Sequence, residues 1–447
     1  MSQLPFDIVR VIYGSIEPAD ARHALLDLLV ASKAFYEVFY PELYRHITVA
    51  TADHRIARLV KTLRAKSHLK NKVETLIIRL EIDYRPPTTF RHVFSTEPLE
   101  RFARFVAKGQ LPNLRYLAFD GEPGYASFTH WTSLSPPVQK LFFRIRCLKT
   151  IRSLRVDCIE ELDPALVWGR DSHLSLDALQ LSHVWFTRDP VTRSPFTTFP
   201  QPDRPHLVKT LAIHTAWRLK LSNPASFCHL VSFSFIHPLS ASSTVSDKYA
   251  IIDACKNTLC ELRIRIFSRS PPTSLHFGTG PDSEPVLQLD LTQHSKLHTV
   301  VIASTAIPLE LQLPLEQQAH FLTKKELEMA DSFLTRIDLP PALRLLGVRL
   351  YLMDWGNAKD QPADLFDLFT EWELIHHFEH LFGMATSTKG GRVQQLEVGI
   401  TPMLPLRITS VQLRDLKLRL CDRYLQARGG WNSDWISFYV DNDTGAM

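Results

Sequence analysis

Residues 111 to 119 read LPNLRYLAF, and the spacing of apolar residues in this stretch recurs along the chain. In its second part, LRYLAF, apolar residues stand at the first, fourth and sixth positions. The positions between them are usually polar or basic in the other copies, and this is the alternation of a β-strand with one buried face. Each copy therefore predicts a short strand.

The segments with this spacing share a central apolar residue. The centres are Leu76, Leu117, Leu154, Leu179, Leu211, Phe233, Leu262, Val300, Leu346, Leu396 and Leu416. Stretches with helical periodicity lie between several of them, at 96–109, 136–151, 247–259, 324–337 and 363–383.

Repetition of strand, loop and helix predicts an α/β fold, in the form of an irregular leucine-rich-repeat-like solenoid of short parallel strands alternating with helices. Each unit of such an array buries its apolar side only against its neighbours. The centres are unevenly spaced, from 20 residues (396 to 416) to 50 (346 to 396), so the repeats must contain inserted loops. A compact α/β domain with a parallel sheet is the alternative.

Composition favours a folded protein without a nucleic-acid or membrane partner. Of the 447 residues 45% are hydrophobic, and the 51 basic and 47 acidic residues leave a net charge of only +4. This balance favours neither a nucleic-acid nor a membrane partner, and we find no apolar run of the roughly 18 residues that a membrane span needs. The six cysteines are irregularly spaced, so we expect reduced thiols and a cytoplasmic or nuclear protein, with no metal and no cofactor.

A basic segment follows the N-terminal region. Ile56, Leu59, Val60 and Leu63 form one apolar stripe, and lysines and arginines occupy the other side. This pattern predicts an amphipathic helix whose basic side is solvated. A phosphate- or RNA-binding patch is the alternative, but the aromatic residues that single-stranded nucleic acid would stack on are missing.

The first 50 residues form a separate leucine-rich helical unit. Pro5 and Pro18 mark helix starts, and the second helix has apolar residues on nearly every side between Leu25 and Val30. Three helices in so few residues bury too little apolar surface to be stable alone. We therefore expect this unit either to pack on the rest of the chain or to bind another protein.

The residues of this unit resemble an F-box, in the form common in mushroom-type fungi. The resemblance lies in the opening LP with Asp7, Ile8 and Ile12, in LLDLLVASKAF at 25–35 and in FYPELYRHITV at 39–49. It implies an all-α N-terminal domain that binds a Skp-type adaptor and, through it, the cullin of a ubiquitin ligase. The adaptor-binding residues that it implies are Leu4, Pro5, Ile8, Ile12, Leu26, Leu29, Val30, Ser32 and Lys33; internal packing is the alternative role of the aliphatic ones.

The resulting domain prediction is an F-box at 1–50, a basic helical linker at 51–72, the array at 73–425 and a C-terminal cap or tail at 426–447. We find no catalytic motif: GTG at 278–280 lacks the setting of a dinucleotide loop, and no phosphate-binding GxxxxGK[ST] or GxSxG occurs. The protein is thus expected to be a non-catalytic substrate receptor of the ligase. The alternatives are an interaction scaffold whose N-terminal helices only cap the array, and an enzyme with an unrecognised site.

Arginines that cluster in two repeats are the candidates for binding the target protein. They are Arg144, Arg146, Arg152, Arg155, Arg263 and Arg265. If they line one side of the array, they favour an acidic target surface; ordinary exposed positions are the alternative.

Overall fold

The computed structural model of the chain describes residues 36, 40–51, 55–80, 97–121, 129–168, 176–187, 197–198, 206–217, 219–220, 224–238, 244–268, 289–306, 337–352, 395–402 and 436–440. Residues 1–35 and 37–39 of the predicted all-α F-box, including all its adaptor-binding residues from Leu4 to Lys33, lie outside these ranges. So do Leu416 and the helical stretches at 324–336 and 363–383. Among the described residues, no helix has the length and apolar character to cross a membrane.

The described elements are of mixed α/β type and belong to two compact units, residues 1–197 with 216–218 and residues 198–215 with 219–447. The strands of the first unit are β1 (His46–Ala50), β2 (Thr75–Leu80), β3 (Tyr116–Gly121), β4 (Thr129–His130), β5 (Ser153–Leu162) and β6 (Ala178–Phe186). Its helices are α1 (Ile56–Ala65), α2 (Ser67–Lys70), α3 (Glu97–Ala107), α4 (Pro136–Arg146) and α5 (Pro164–Trp168).

The motif centres of the first unit lie side by side in a parallel sheet of order β1-β2-β3-β5-β6. Leu76 pairs with Leu117, Leu117 with Leu154, and Leu154 with Leu179. Each of these leucines is at most 1% exposed. The predicted strands at these four positions are confirmed, and the leucines form a continuous buried row across the sheet.

Helices cover the apolar face of this sheet. Phe142 of α4 lies 5.2 Å from Phe119 of β3, measured between ring centroids, and Trp131 packs against both rings. Both phenylalanines are fully buried. Helices α3 and α4 confirm the helical stretches predicted at 96–109 and 136–151, and the two prolines that open α4 stand where a missing amide hydrogen costs nothing.

The sheet begins earlier in the chain than the sequence suggested. Residues 46–50 were assigned to the all-α F-box, but His46–Ala50 form β1, which runs parallel to β2 with Ile47 paired to Leu76. Ile47 and Val49 are 6% and 2% exposed. The assignment was wrong for these residues, because YRHITV at 44–49 has the spacing of the other copies, with Tyr44, Ile47 and Val49 at its first, fourth and sixth positions.

The basic segment contains the predicted amphipathic helix, α1. Ile56, Val60 and Leu63 are buried, whereas Leu59 is only partly so. The arginines and lysines of the opposite side, such as Arg58 and Lys61, are exposed.

The second unit repeats the plan with strands β7 (Thr197–Thr198, at the boundary between the units), β8 (Thr210–Trp217), β9 (Leu219–Lys220), β10 (Ser232–Pro238), β11 (Glu261–Ser268), β12 (Leu289–Asp290), β13 (Thr299–Ala306), β14 (Ile337–Asp338), β15 (Leu345–Leu352), β16 (Gln395–Pro402) and β17 (Ile436–Val440), and with helix α6 (Thr244–Ala254). Its parallel sheet has the order β8-β10-β11-β13-β15-β16-β17.

The centres of the second unit are in register as well. Leu211 pairs with Phe233, Phe233 with Leu262, Leu262 with Val300, Val300 with Leu346, and Leu346 with Leu396. The predicted strands are therefore confirmed at all these positions. The strand that follows in the sheet is β17, since Leu396 pairs with Ile436, so the segment predicted as a cap or tail contributes a strand.

Candidate functional site

One face of the first unit's sheet carries polar side chains near the carboxyl ends of its strands. Because side chains alternate along a strand, residues one and three positions after a buried centre project to the opposite face. Asp120, Asp157 and Ser182 form one row in register across β3, β5 and β6, and Arg155 pairs with Gln180 in the row before it. The described helices pack on the other face, so we call this one the open face of the sheet, although Asp157 and Ser182 are buried on it.

Arg155 joins the two carboxylates of this row. Its Nη2 lies 3.0 Å from Asp157 Oδ2, and its Nε lies 3.6 Å from Asp120 Oδ1. Burial lowers the pKa of Arg155, but the charges of Asp120 and Asp157 more than offset this effect and the net pKa is raised. Burial raises the pKa of Asp120, and Arg155 opposes that shift. The arginine is thus held as a cation between two partly buried acids.

The other carboxylate oxygen of Asp157 faces a thiol and an imidazole. Cys158 Sγ donates to Asp157 Oδ1 over 3.4 Å, and His183 Nδ1 also lies 3.4 Å from that oxygen. In the part of the chain that the structure describes, these three side chains form a group of metal-ligating type whose donor atoms all lie within 4.8 Å of one another. Burial first, and the charge of Asp157 second, raise the pKa of the Cys158 thiol to about 12.

The backbone at this cluster departs from regular strand geometry. Cys158 and His183 have φ angles of 54° and 51°, in the left-handed region that residues other than glycine rarely adopt. The pairing of β5 with β6 also changes register between Ile159 and Leu162. Such departures cost about 1–3 kcal/mol each and are concentrated at functional sites.

Gly121 lets β3 pass close to the cluster. A Cβ at this position would lie 2.0 Å from the carbonyl oxygen of Cys158 and 3.2 Å from Thr129 Cβ. Just after Cys158, on the same edge of β5, β4 pairs with β5, so that Thr129 lies opposite Ile159. The end of β3 and the start of β4 therefore both pack close to the backbone of Cys158.

The open face of the second unit carries its own polar pairs. Arg263 Nη2 lies 2.6 Å from Glu261 Oε1, and Ser232 donates to the other oxygen of that carboxylate over 2.9 Å. His214 Nε2 lies 2.7 Å from Ser234 Oγ. These pairs lie along β8, β10 and β11, so polar contacts between neighbouring strands recur in this unit.

The six candidate arginines do not form one surface. Arg144 and Arg146 belong to helix α4, which packs on the apolar face of the sheet, whereas Arg155 lies on the open face. Arg146 is 4% exposed and donates to the carbonyl oxygen of Val167 over 3.1 Å, and burial lowers its pKa to about 10. Arg144 and Arg146 therefore do not line the same side as Arg155, and the condition under which an acidic target was expected is not met by these three residues.

The remaining three candidates have separate surroundings. Arg152 is exposed just before β5, and its carbonyl oxygen accepts hydrogen bonds from the amides of residues 177 and 178. Arg263 and Arg265 lie on β11 in the second unit, with Arg263 exposed and Arg265 partly so.

Sequence reasoning missed the cluster of Asp120, Asp157, Cys158 and His183. A usable signal exists: Asp120 and Asp157 each stand three residues after a motif centre, Leu117 and Leu154. Equal offsets place residues of neighbouring parallel strands in one row, so the two acids could have been predicted to lie together. Cys158 and His183 also share an offset, four residues after Leu154 and Leu179, and the regular register still holds at Ile159. The motif has no signal for the left-handed φ angles of these two residues.

No model of a known protein family matches this chain, and no curated protein matches its sequence. Its function must therefore be inferred from its own motifs and from the geometry of its sheets.

Proposed function

We propose that this protein is the substrate-recognition subunit of a Skp–cullin–F-box ubiquitin ligase. In this proposal residues 1–50 bind the Skp-type adaptor, and the open face of the sheet binds a target protein. The chain has no catalytic role: it raises the effective concentration of the target near the ubiquitin carrier held elsewhere in the ligase. The sequence resemblance of residues 4–49 to an F-box carries the ligase assignment.

The order of the strands supports the repeat array that this function needs. In each unit's sheet the main strands run parallel and neighbour one another in chain order. Doubly wound sheets instead reverse their strand order at a switch point, where they bind small ligands. Neighbours in chain order are what stacked repeats produce, and such arrays bind proteins along an extended face. We therefore take the fold to be an irregular leucine-rich-repeat-like solenoid.

The observation that best supports protein binding is the composition of the open faces. The β3–β6 face carries Asp120, Arg155 and Gln180, and the β10–β11 face carries Ser232 and Arg263. Regularly spaced polar and charged side chains on rigid strands can form the hydrogen bonds that protein interfaces contain at about one per 100–200 Å².

The scaffold alternative has one observation in its favour. The last residues of the N-terminal unit are built into the array: Arg45 O accepts hydrogen bonds from the amides of Glu74 and Thr75, each over 3.0 Å, and Lys72 Nζ lies 3.0 Å from Glu42 Oε1. A unit joined so closely to the first repeat can act as a cap for the apolar end of the array.

Co-purification with a Skp-type adaptor separates the two functions. We expect the full chain to capture the adaptor, and Ile12→Asp or Leu29→Asp to lose it. The matched control is Leu207→Asp, the same change at a leucine that is 54% exposed in the second unit; it should retain the adaptor. All variants should keep the wild-type thermal transition of the array. A chain that folds but never captures the adaptor would refute the receptor function and favour the cap.

The target surface can be tested without deleting the helical unit. In the adaptor-deficient Ile12→Asp background, charge reversal at Arg263 on the open face is compared with charge reversal at Arg144 on α4. A target that binds the open face should be lost from the first variant and retained by the second. Equal capture by both would refute the assignment of the open face.

A further inference from the structure

We propose that Asp157, Cys158 and His183 bind a divalent transition-metal ion, and that zinc fits these three donors best. The proposal concerns the first unit alone and does not depend on the ligase function.

The distances between the donor atoms match those around a tetrahedral zinc ion. Zinc lies about 2.3 Å from sulfur and about 2.0–2.2 Å from nitrogen or oxygen, so neighbouring ligand atoms are about 3.3–3.6 Å apart. Asp157 Oδ1 is 3.4 Å from Cys158 Sγ and 3.4 Å from His183 Nδ1. The thiol and imidazole donors lie within 4.8 Å of each other, so a small rotation of the partly exposed His183 ring completes the geometry.

The net charge of the surrounding side chains is compatible with a bound dication. Asp120, Arg155 and Asp157 together carry one net negative charge. Binding of zinc with loss of the Cys158 proton to solvent adds two positive charges and one negative, so the whole group becomes neutral. Arg155 occupies Asp157 Oδ2, which leaves Oδ1 for the metal and orients the carboxylate as outer partners of metal ligands do.

The mixture of donors selects the ion. A thiolate with an imidazole favours zinc and its neighbours over magnesium and calcium, which prefer oxygen alone. Three protein ligands leave the fourth position of a tetrahedral ion open. The His183 side chain is 31% exposed and that of Asp157 5%, so the open position lies on the solvent side, beside the imidazole.

The left-handed backbone supports the same assignment. Cys158 and His183 are two of the three non-glycine residues with positive φ in the described part of the chain. Both are ligands in the proposal, and they belong to neighbouring strands. An ion bound to both residues would link β5 to β6, and the free energy of metal binding would offset the free-energy cost of the two left-handed conformations.

Metal binding is tested on the full-length protein after removal of metals with a chelator. Titration with zinc against a chromophoric chelator should show one tight site. Titration with Co²⁺ should produce a thiolate-to-cobalt charge-transfer band and the intense visible bands of tetrahedral cobalt. The absence of a stoichiometric site would overturn the proposal.

Conservative variants locate the site. Cys158→Ser should abolish the charge-transfer band, and Cys158→Ser and His183→Asn should each weaken zinc binding by about 100-fold or more, given that even outer partners contribute about 10–100-fold. Asparagine suits the left-handed backbone of His183. Cys260→Ser, which changes a thiol of the second unit, is the control and should bind zinc like the wild type. Equal binding by Cys158→Ser and the wild type would refute the assignment.

X-ray absorption of the zinc-loaded wild type does not depend on any variant folding. We expect one sulfur scatterer with nitrogen and oxygen scatterers completing the shell. A shell with several sulfurs would place the metal at other cysteines, and a shell without sulfur would describe an adventitious ion; either result overturns the proposal.

Discussion

Replacement of Gly121 by alanine tests the close approach of β3 to the cluster. The added Cβ would lie 2.0 Å from the Cys158 carbonyl oxygen and 2.8 Å from its carbonyl carbon. Favourable carbon–oxygen contacts begin at about 3.3 Å, so the two backbones must separate locally by about 1 Å. The atoms in conflict belong to the backbone and cannot rotate away.

The size of the effect follows from the cost of overpacking. Extra methyl groups in a packed site cost about 1–3 kcal/mol, and a conflict between backbones belongs at the upper end, so we expect a loss of about 3 kcal/mol. For a unit of about 200 residues, 1 kcal/mol corresponds to about 2–4 °C in Tm, so the expected decrease is about 6–12 °C. Differential scanning calorimetry and urea unfolding measure it.

Gly109→Ala is the matched control for this prediction. Gly109 has a φ of +71°, but its added Cβ would have no atom within 4 Å. That variant therefore has backbone strain without a steric conflict, at a cost of about 1–2 kcal/mol. If Gly121→Ala melts within 2 °C of the wild type, or no lower than Gly109→Ala, β3 does not pass Cys158 as closely as described.

Three further predictions concern stability. Phe142→Ala should cost about 3–5 kcal/mol in urea unfolding, because the ring is fully buried against Phe119 and Trp131; a loss below about 1 kcal/mol would contradict that packing. Arg146→Met should leave the free energy of unfolding unchanged or raise it by about 1 kcal/mol, because it removes a buried charge whose Nε has no hydrogen-bond partner among the described residues. A large loss would show that the hydrogen bond to Val167 dominates. A chain that begins at residue 40 should keep β1, whereas one that begins at residue 51 loses buried Ile47 and Val49. The loss should lower the free energy of unfolding by about 1.5–3 kcal/mol for each of these side chains. Equal Tm values for the two chains would show that β1 does not stabilise the array.

The strands were predictable because their signal is local and repeated. A leucine, valine or phenylalanine at each centre, with apolar residues three before and two after, places one face of each segment in the core. This holds even for Val300 and Leu346, whose segments are separated by 46 residues (346 − 300). Each strand buries its centre against the next, so uneven loops do not disturb the register.

Other features depend on information that the motif does not contain. β17 lacks the full motif, and its place in the sheet follows from pairing with β16. β1 has the spacing at Tyr44, Ile47 and Val49, but its residues also belong to the stretch that resembles an F-box. Asp157 and His183 are 26 residues apart, and they meet only because β5 and β6 stay paired into a region of irregular backbone. The sequence predicts an exposed position for Arg146 in a basic helix, but its side chain lies in the last turn of α4 and donates a hydrogen bond to the carbonyl oxygen of Val167.

The pairing of charges on the open faces constrains how a target can be recognised. Arg155 is neutralised by Asp120 and Asp157, and Arg263 is paired with Glu261. A paired arginine has part of its charge and its donors already engaged, so it attracts a distant acidic surface weakly. Clusters of arginine in the sequence therefore overstate the positive potential of these faces. If a target binds here, as we propose, recognition must rest on short-range hydrogen bonds and shape, and an acidic target gains little from long-range attraction.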